Sequence, residues 1–324
     1  MVTLDLVLNV VFIALVQGSI LALVSFAITI IFRTSNTTNF AQGMISTFSA
    51  FFFTFVFFNL FVKFDPASFE IGNSNYGMQS LYAIISLVMS MIIAFCIGLF
   101  LDSVIFRFSK FSHPANKQMI TLGVVLLISG LIPVIFGNVF DWTPPKLIVF
   151  EQSYNWDINF ADVSVKVLPH NMVTILICAA ILLALFITLK VSKWGLGVRS
   201  TAANEKVAGL MGINTRFITS VSWAIAAMIG GIGAILYSPL VQSVNQGLMV
   251  MMQVDGFLAG IAGGFSTFGG PVFAGYLIPM IRGIFTIIPQ IPSIWADVLL
   301  YCTVLIVVLI KPSGVFGKKT QKKV

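Results

Sequence analysis

The sequence predicts an all-α polytopic membrane protein with about eight transmembrane helices and one short re-entrant half-helix. Its N-terminus is expected outside and its C-terminus in the cytoplasm. Three observations carry this. Of 324 residues, 58% are hydrophobic and only 9% charged, against about 25% charged in a soluble domain. Seven uncharged runs, 6–32, 34–62, 71–101, 118–140, 171–189, 217–254 and 256–281, each reach the roughly 17–25 residues that cross the hydrocarbon layer as a helix. The charges also sort by side: 14 of 18 Lys and Arg residues (33, 107, 110, 117, 190, 193, 199, 206, 216, 311, 318, 319, 322 and 323) fall on the side of the C-terminal tail, with only Asp102 and Glu205 of the 11 acids. Basic loops mark the cytoplasmic side. This sorting explains the net charge of +7 without a nucleic-acid surface, and the composition excludes a soluble enzyme or a secreted disulfide scaffold.

The spans follow in order. The first, about 8–31, runs inward to Arg33; the second, about 40–62, returns after the polar stretch 34–39. An exterior loop, 63–79, precedes the span 81–101, an interior loop with Arg107, Lys110, His113 and Lys117, and the span 119–140. The exterior loop 141–170 is the longest and is too short for a domain, so residues 1–324 form a single membrane domain. Span 171–189 leads into the interior loop 190–216, and span 217–237 leads out again. Residues 239–255 are placed near the outer surface. Because the last span, 294–310, must enter from outside, residues 256–288 must go in and come back. A short helix, a Gly-rich re-entrant turn at 263–271 and a fuller helix at 272–288 satisfy that parity. Irregular backbone at membrane depth survives only inside protein or along a wet cavity, and broken helices of this kind form transport paths. An ordinary tight turn at the inner surface is the other reading. Gly256, Gly260 and Gly264 recur every four residues, which predicts one face for close helix packing.

Chemistry is sparse. Cys96, Cys178 and Cys302 all fall within spans and read as small apolar filler. Residues 1–5 lack the basic start of a signal peptide, so the first apolar run is expected to be a retained span. The two histidines, His113 and His170, fall on opposite sides, and no metal cluster or catalytic dyad can be assembled. Residues 314–320, GVFGKKT, have the wrong spacing for a phosphate-cradling loop; the chain is therefore expected to bind no cofactor and to hydrolyse no ATP. Ion-coupled carriers need ionisable groups buried in the bundle. Asp102, Asp255 and Asp297 are all placed close to span ends, and only Arg282 falls near the middle of a span. Arg282 needs a partner, and Asp297, on the antiparallel neighbouring span, is the expected one. Their pair reads as either a structural tie or a gate.

A bundle without coupling groups is passive or driven from outside. Residues 201–211 predict a short amphipathic helix with Ala203, Val207, Leu210 and Met211 on one face. Asn204, Glu205 and Lys206 lie off that face, and Gly212 ends the helix in a left-handed cap. Such a helix could seat in a cytosolic partner's groove or rest on lipid headgroups.

Four stretches together resemble the permease subunits of branched-chain amino acid ABC importers, the LivH/LivM group. They are Asn39-Phe-Ala-Gln-Gly43, the loop from Gly195-Leu-Gly-Val-Arg199 to Ala208-Gly-Leu-Met-Gly-Ile-Asn214, Gly263-Gly-Phe-Ser-Thr-Phe-Gly-Gly-Pro271 with Gly275, and Lys311-Pro-Ser-Gly-Val-Phe-Gly317. The resemblance implies a bacterial cytoplasmic-membrane permease. It would pair with a second LivH/LivM-like permease, identical or different. Cytosolic ABC ATPase subunits would bind ATP and Mg, and an extracytoplasmic substrate-binding protein would deliver the solute. It further implies that 202–212 is the ATPase-coupling helix, onto whose pattern Arg199, Asn204, Gly212, Ile213 and Asn214 map. Coupling is thus expected of Arg199, Ala203, Asn204, Glu205, Val207, Leu210, Met211 and Gly212. Asn39, Gln42, Gly263, Gly264, Ser266, Thr267 and Gly270 are the expected path residues. Two positions depart from the family: Gln42 stands where His is common, and Arg282 where many relatives look acidic. The expected cargo is branched-chain or other amino acids. Urea, short amides or another small solute on the same machinery, and a passive channel or ion-coupled carrier, are the competing readings.

Overall fold

The structure, a computed structural model, describes residues 4–69, 75–107, 114–137, 145, 156–160, 163–288, 292 and 294–317. The first helix, α1 (Leu4–Ser35), is 32 residues long, about 48 Å at 1.5 Å per residue. From Ile20 to Ile31 its apolar side chains are buried all round, as expected of a helix surrounded by others. It packs against α5 (Pro169–Val191), α6 (Lys193–Ala203), α8 (Thr215–Val241), α9 (Val250–Gly263) and α10 (Gly269–Ile287). α2 (Gln42–Val56) ends in a π-helical turn, Phe57–Val62, and α3 (Tyr76–Phe100) in another, Leu101–Phe106. α4 (Pro114–Phe136), α7 (Glu205–Leu210) and α11 (Ile294–Ile310) complete the α-helices among the described residues, beside a short 3-10 turn at Pro66–Phe69.

Seven of these, α1, α2 with its π turn, α3 with its π turn, α4, α5, α8 and α10, are long and apolar enough to cross a membrane. The eighth expected span is the 17-residue α11, and the half-helix is the 14-residue α9. Helices α3, α4, α5 and α11 keep an apolar outer face, with Ile92, Leu126, Leu176 and Leu309 exposed. Most of 141–170, like the interior-loop residues 108–113, the turn 289–291 and the tail 318–324, lies outside the described residues. Within the 141–170 loop the structure adds a feature that the helical reading lacked. Trp156–Phe160 (β1) and Val163–Val167 (β2) pair antiparallel, Trp156 with Val167 and Phe160 with Val163.

Close helix approaches occur at glycines, though not along the expected Gly256–Gly260–Gly264 face. Gly256 meets Val24 and Ile28 of α1, Gly260 meets the Phe265 ring, and Gly264 lies beyond α9 against Ser313 and Gly317. Three neighbours thus replace the single helix partner that the four-residue spacing suggested. Backbones also cross closely at Gly263 on Gly270, Gly275 on Ala22, and Gly98 of α3 on Trp223–Ala224 of α8.

Candidate translocation and coupling sites

Two stretches interrupt the helices inside the bundle. Between α1 and α2 the chain leaves helical geometry at Asn36, with φ 52°, and Thr37, Asn39 and Ala41 are buried. Between α8 and α9, Val244 and Met249 are fully buried. Gly256 faces Val24 and Ile28, so α9, six residues or about 9 Å upstream, begins near the middle of α1.

Buried irregular backbone needs hydrogen-bond partners, and three amides supply them. Asn39 Oδ1 accepts from Ala41 N (3.0 Å), and Asn39 Nδ2 donates to Gln42 Oε1 (3.2 Å). Gln42 Nε2 donates to Ala226 O of α8 (2.8 Å). Gln253 of α9 clamps the start of α2, with Oε1 accepting from Gly43 N and Nε2 donating to Phe40 O (2.7 Å). Gly230 of α8 leaves the room that Gln42 and Ser46 occupy. Asn39 and Gln42 are 1% and 0% exposed, so in this conformation they form a closed knot and line no open channel. Gln253 was missed by sequence reasoning; its only signal was an amide within a long uncharged run.

The other expected path residues sit elsewhere. Gly263 is ten residues, about 15 Å along the helix, beyond Gln253. Gly263, Gly264 and Gly270 are buried, Thr267 is half-buried and Ser266 is exposed. Gly264 has φ 90°, a conformation that side-chain-bearing residues avoid. Thr267 Oγ1 accepts from Gly270 N (3.2 Å) and starts α10. Phe265 packs against Phe32 at a tilt of 37°, and the Arg33 guanidinium lies 4.3 Å over Phe268. The turn is therefore level with the last turn of α1, at the end of the bundle. The mid-depth break falls at 242–249 instead.

The stretch after α11 closes this turn from outside. Val315 N donates to Ala262 O (2.7 Å) and Phe316 N to Gly263 O (3.2 Å), satisfying carbonyls that the end of α9 leaves without helical donors. Gly314, with φ 79°, seats against Gly264. Two of the four resembling stretches are thus one contact.

Arg282 of α10 reaches two carboxylates. Its Nε donates to Asp297 Oδ1 of α11 (2.7 Å), the expected partner. The deeper partner is Asp255 of α9, which takes Nη1 and Nη2 in a two-pronged contact (2.8 and 3.1 Å). The Asp255 side chain is 3% exposed and that of Asp297 56%. The expected position of Asp255 near the outer surface is therefore corrected: it lies six residues into α9, in the bundle interior. Parity of crossings misplaced it because α9 starts inside the bundle.

At 190–216 the chain makes two short helices where one was expected over 201–211. Asn204 adopts extended geometry (φ −164°, ψ 108°), and its Oδ1 accepts from Val207 N (3.1 Å), which caps α7. Ile213 N donates to Ala208 O and Gly212 N to Gly209 O, with Gly212 at φ 84°; this is a Schellman ending. Ala208 faces the bundle, whereas Val207, Leu210 and Met211 are 52%, 86% and 78% exposed, and Ala203 and Glu205 are exposed beside them. Arg199 donates to Gly195 O and Lys190 O, closing the corner after α5. Gly195 packs on Leu189 and Gly197 on Ile218, so α6 lies close against the bundle.

A multi-helix apolar bundle with buried breaks and a projecting apolar tip defines a membrane permease. The chain belongs to the family described as branched-chain amino acid transport system, permease component, whose model matches residues 10–309. It is similar to the high-affinity branched-chain amino acid transport system permease protein LivH of Escherichia coli K12, 21% identical over 307 residues, covering 95% of this chain and 94% of the relative. It is also similar to BraD, a permease protein of the same description from Pseudomonas aeruginosa, 25% identical over 168 residues, 51% of this chain and 54% of the relative. A probable LivH of Methanocaldococcus jannaschii is 22% identical over 277 residues, 84% and 79% of the two chains. No solved structure matches the chain.

Proposed function

We propose that the chain is the membrane-spanning subunit of an ATP-driven importer in the bacterial cytoplasmic membrane. In this reading the N-terminus is outside, and α7 projects into the cytoplasm to seat in an ABC ATPase that binds ATP and Mg. A second permease of the same kind and an extracytoplasmic binding protein complete the assembly, and branched-chain or other amino acids are the cargo. The observation that carries the reading is the tip of α7. Its apolar side chains face outward, while caps at both ends and the Gly195–Gly197 corner hold it stiffly on the bundle. Exposed apolar clusters mark interaction sites, and a stiff lever transmits movement.

Closure of the ATPase would move α7 and α6, and through Gly197–Ile218 the start of α8. Helix α8 holds Gln42 through Ala226 O, so its movement acts on the amide knot. Opening the knot would separate Asn39 and Gln42 from their partners and turn amide groups, with no fixed charge, toward a passing zwitterion. In this scheme the turn 263–271 stays as the fixed floor clasped by the tail.

The test is Leu210→Glu. An exposed side chain contributes little to folding, within about 0.5 kcal/mol, so the variant should reach the membrane at the normal level. Solute uptake and co-purification of the ATPase should both fall at least about tenfold, equivalent to 1.4 kcal/mol of docking energy. Unchanged uptake with normal ATPase recovery would refute the docking role, and release of α7 from lipid with the ATPase still bound would favour a headgroup contact.

A further inference from the structure

Beside α7 an open cleft of about 350 Å³, part of it open to solvent, lies among the end of α1, the π turn of α3, the start of α4, α7 and the start of α8. That figure includes open solvent; the cavity proper is about 60 Å³, room for a small zwitterionic head group with any side chain left toward solvent. It lies at the opposite end of α8 from Tyr237, which flanks the Arg282 cluster. Asp102, Lys117 and Glu205 all line it.

The lining groups divide into two sets. Lys117 and Glu205 face the same cleft, yet among the described residues neither forms a hydrogen bond or an ion pair. Asp102 is fixed in place: its Oδ2 accepts from Ser220 Oγ, which in turn accepts from Arg107 (3.2 Å). The π-helical turn Leu101–Phe106 brings both Asp102 and Phe106 to the cleft, and π turns are rare and concentrate at functional sites. The hydroxyls of Thr34, Thr37 and Thr219 donate to backbone carbonyls, so toward the cleft they can only accept. Three acceptor hydroxyls and two carboxylates suit an ammonium group. Opposite in character are the Lys117 ammonium and the Trp223 indole N–H. Trp223 is 2% exposed, and its Nε1 has no partner among the described residues, although a buried donor without an acceptor is destabilising. Those two donors suit a carboxylate.

We infer that this cleft binds a small zwitterion, an α-amino acid, on the α7 side of the bundle. Its carboxylate is received by Lys117 and the Trp223 N–H, and its ammonium by Glu205, Asp102 and the threonine hydroxyls. Glu205 is the first residue of α7, so an occupied cleft ties α7 to α1, α4 and α8 through the ligand. Released solute that accumulates on this side would then restrain α7 and slow further uptake. The binding claim stands on the cleft itself; the restraint rests on the coupling role proposed for α7.

The test uses the full-length chain in lipid nanodiscs, with L-leucine, glycine, leucinamide and 4-methylpentanoate as probes, read by saturation-transfer NMR. Leucine and glycine should bind saturably. Leucinamide and 4-methylpentanoate, each lacking one charge, should bind at least about tenfold more weakly, as expected for loss of a charged hydrogen-bonded contact. Lys117→Gln and Glu205→Gln should each weaken leucine at least about tenfold, and Lys117→Arg should restore it. Equal binding of the singly charged analogues, unchanged affinity in Lys117→Gln, or no saturable binding of either amino acid would overturn the site. If the cargo assignment is wrong and this inference right, glycine still binds while leucine uptake is absent. If the reverse holds, leucine is transported but Lys117→Gln changes neither binding nor inhibition by internal leucine.

Discussion

At the charge cluster the two carboxylates bound to Arg282 are not equivalent. Asp255 is buried and takes both prongs of the guanidinium, whereas Asp297 is more than half exposed. Removing the buried partner leaves Arg282 only the exposed Asp297, and breaking a buried pair typically destabilises by up to about 3–5 kcal/mol. An exposed ion pair contributes about 0–1 kcal/mol. Asp255→Asn should therefore lower the unfolding temperature in detergent far more than Asp297→Asn, and equal shifts would contradict the assignment of depth. At Gly275 any Cβ would lie 2.8 Å from the Ala22 Cα. Gly275→Val should force α10 off α1, destabilising by about 1–3 kcal/mol, and the same thermal measurement checks it. Arg282 was legible in the sequence as a charge needing a partner, and Asp297 followed from antiparallel neighbours. Asp255 was not legible, because its depth depends on where α9 begins, and that is set by packing of 242–249 inside the bundle. Gln42 was visible as a polar group in a span. Whether it faces a channel or the packed bundle is decided by Ala226 of α8, 184 positions away, which no local pattern reports.

The helices themselves were written in the apolar runs, since a hydrocarbon layer forces every backbone group into internal hydrogen bonds. The left-handed end at Gly212 was equally readable. The split at Asn204 was not: helical spacing continues through it, but its carboxamide competes for Val207 N and starts a new helix. The clasp of residues 311–317 on the end of α9 could not be read as a contact, although both of its strands were recognised as separate motifs. It makes a prediction at this scale. Gly314→Val cannot keep φ 79° against Gly264 and should unseat the clasp. Hydrogen exchange over 260–268 should then rise roughly tenfold or more, the factor that corresponds to losing one hydrogen bond of ordinary net strength, with α1 unaffected. Unchanged exchange there would show that the turn holds without the tail.

For the whole molecule, the buried Asp255 reopens one question that sequence reasoning had closed, because a carboxylate inside the bundle is what an ion-coupled carrier uses. Its geometry answers against that use. Both oxygens are engaged by one guanidinium, and protonation of Asp255 would break that two-pronged contact and leave Arg282 only the exposed Asp297. The ion pair, the closed amide knot and the projecting tip of α7 are the features on which the proposal of a bundle moved by a partner rests. The most direct measurement is uptake of radiolabelled leucine into vesicles, with the chain reconstituted alone and then with its ATPase, its partner permease and the binding protein. Under the proposal, the full assembly with ATP accumulates leucine above the external concentration, and the chain alone does not, under any proton or sodium gradient. Accumulation against a gradient by the chain alone would contradict it.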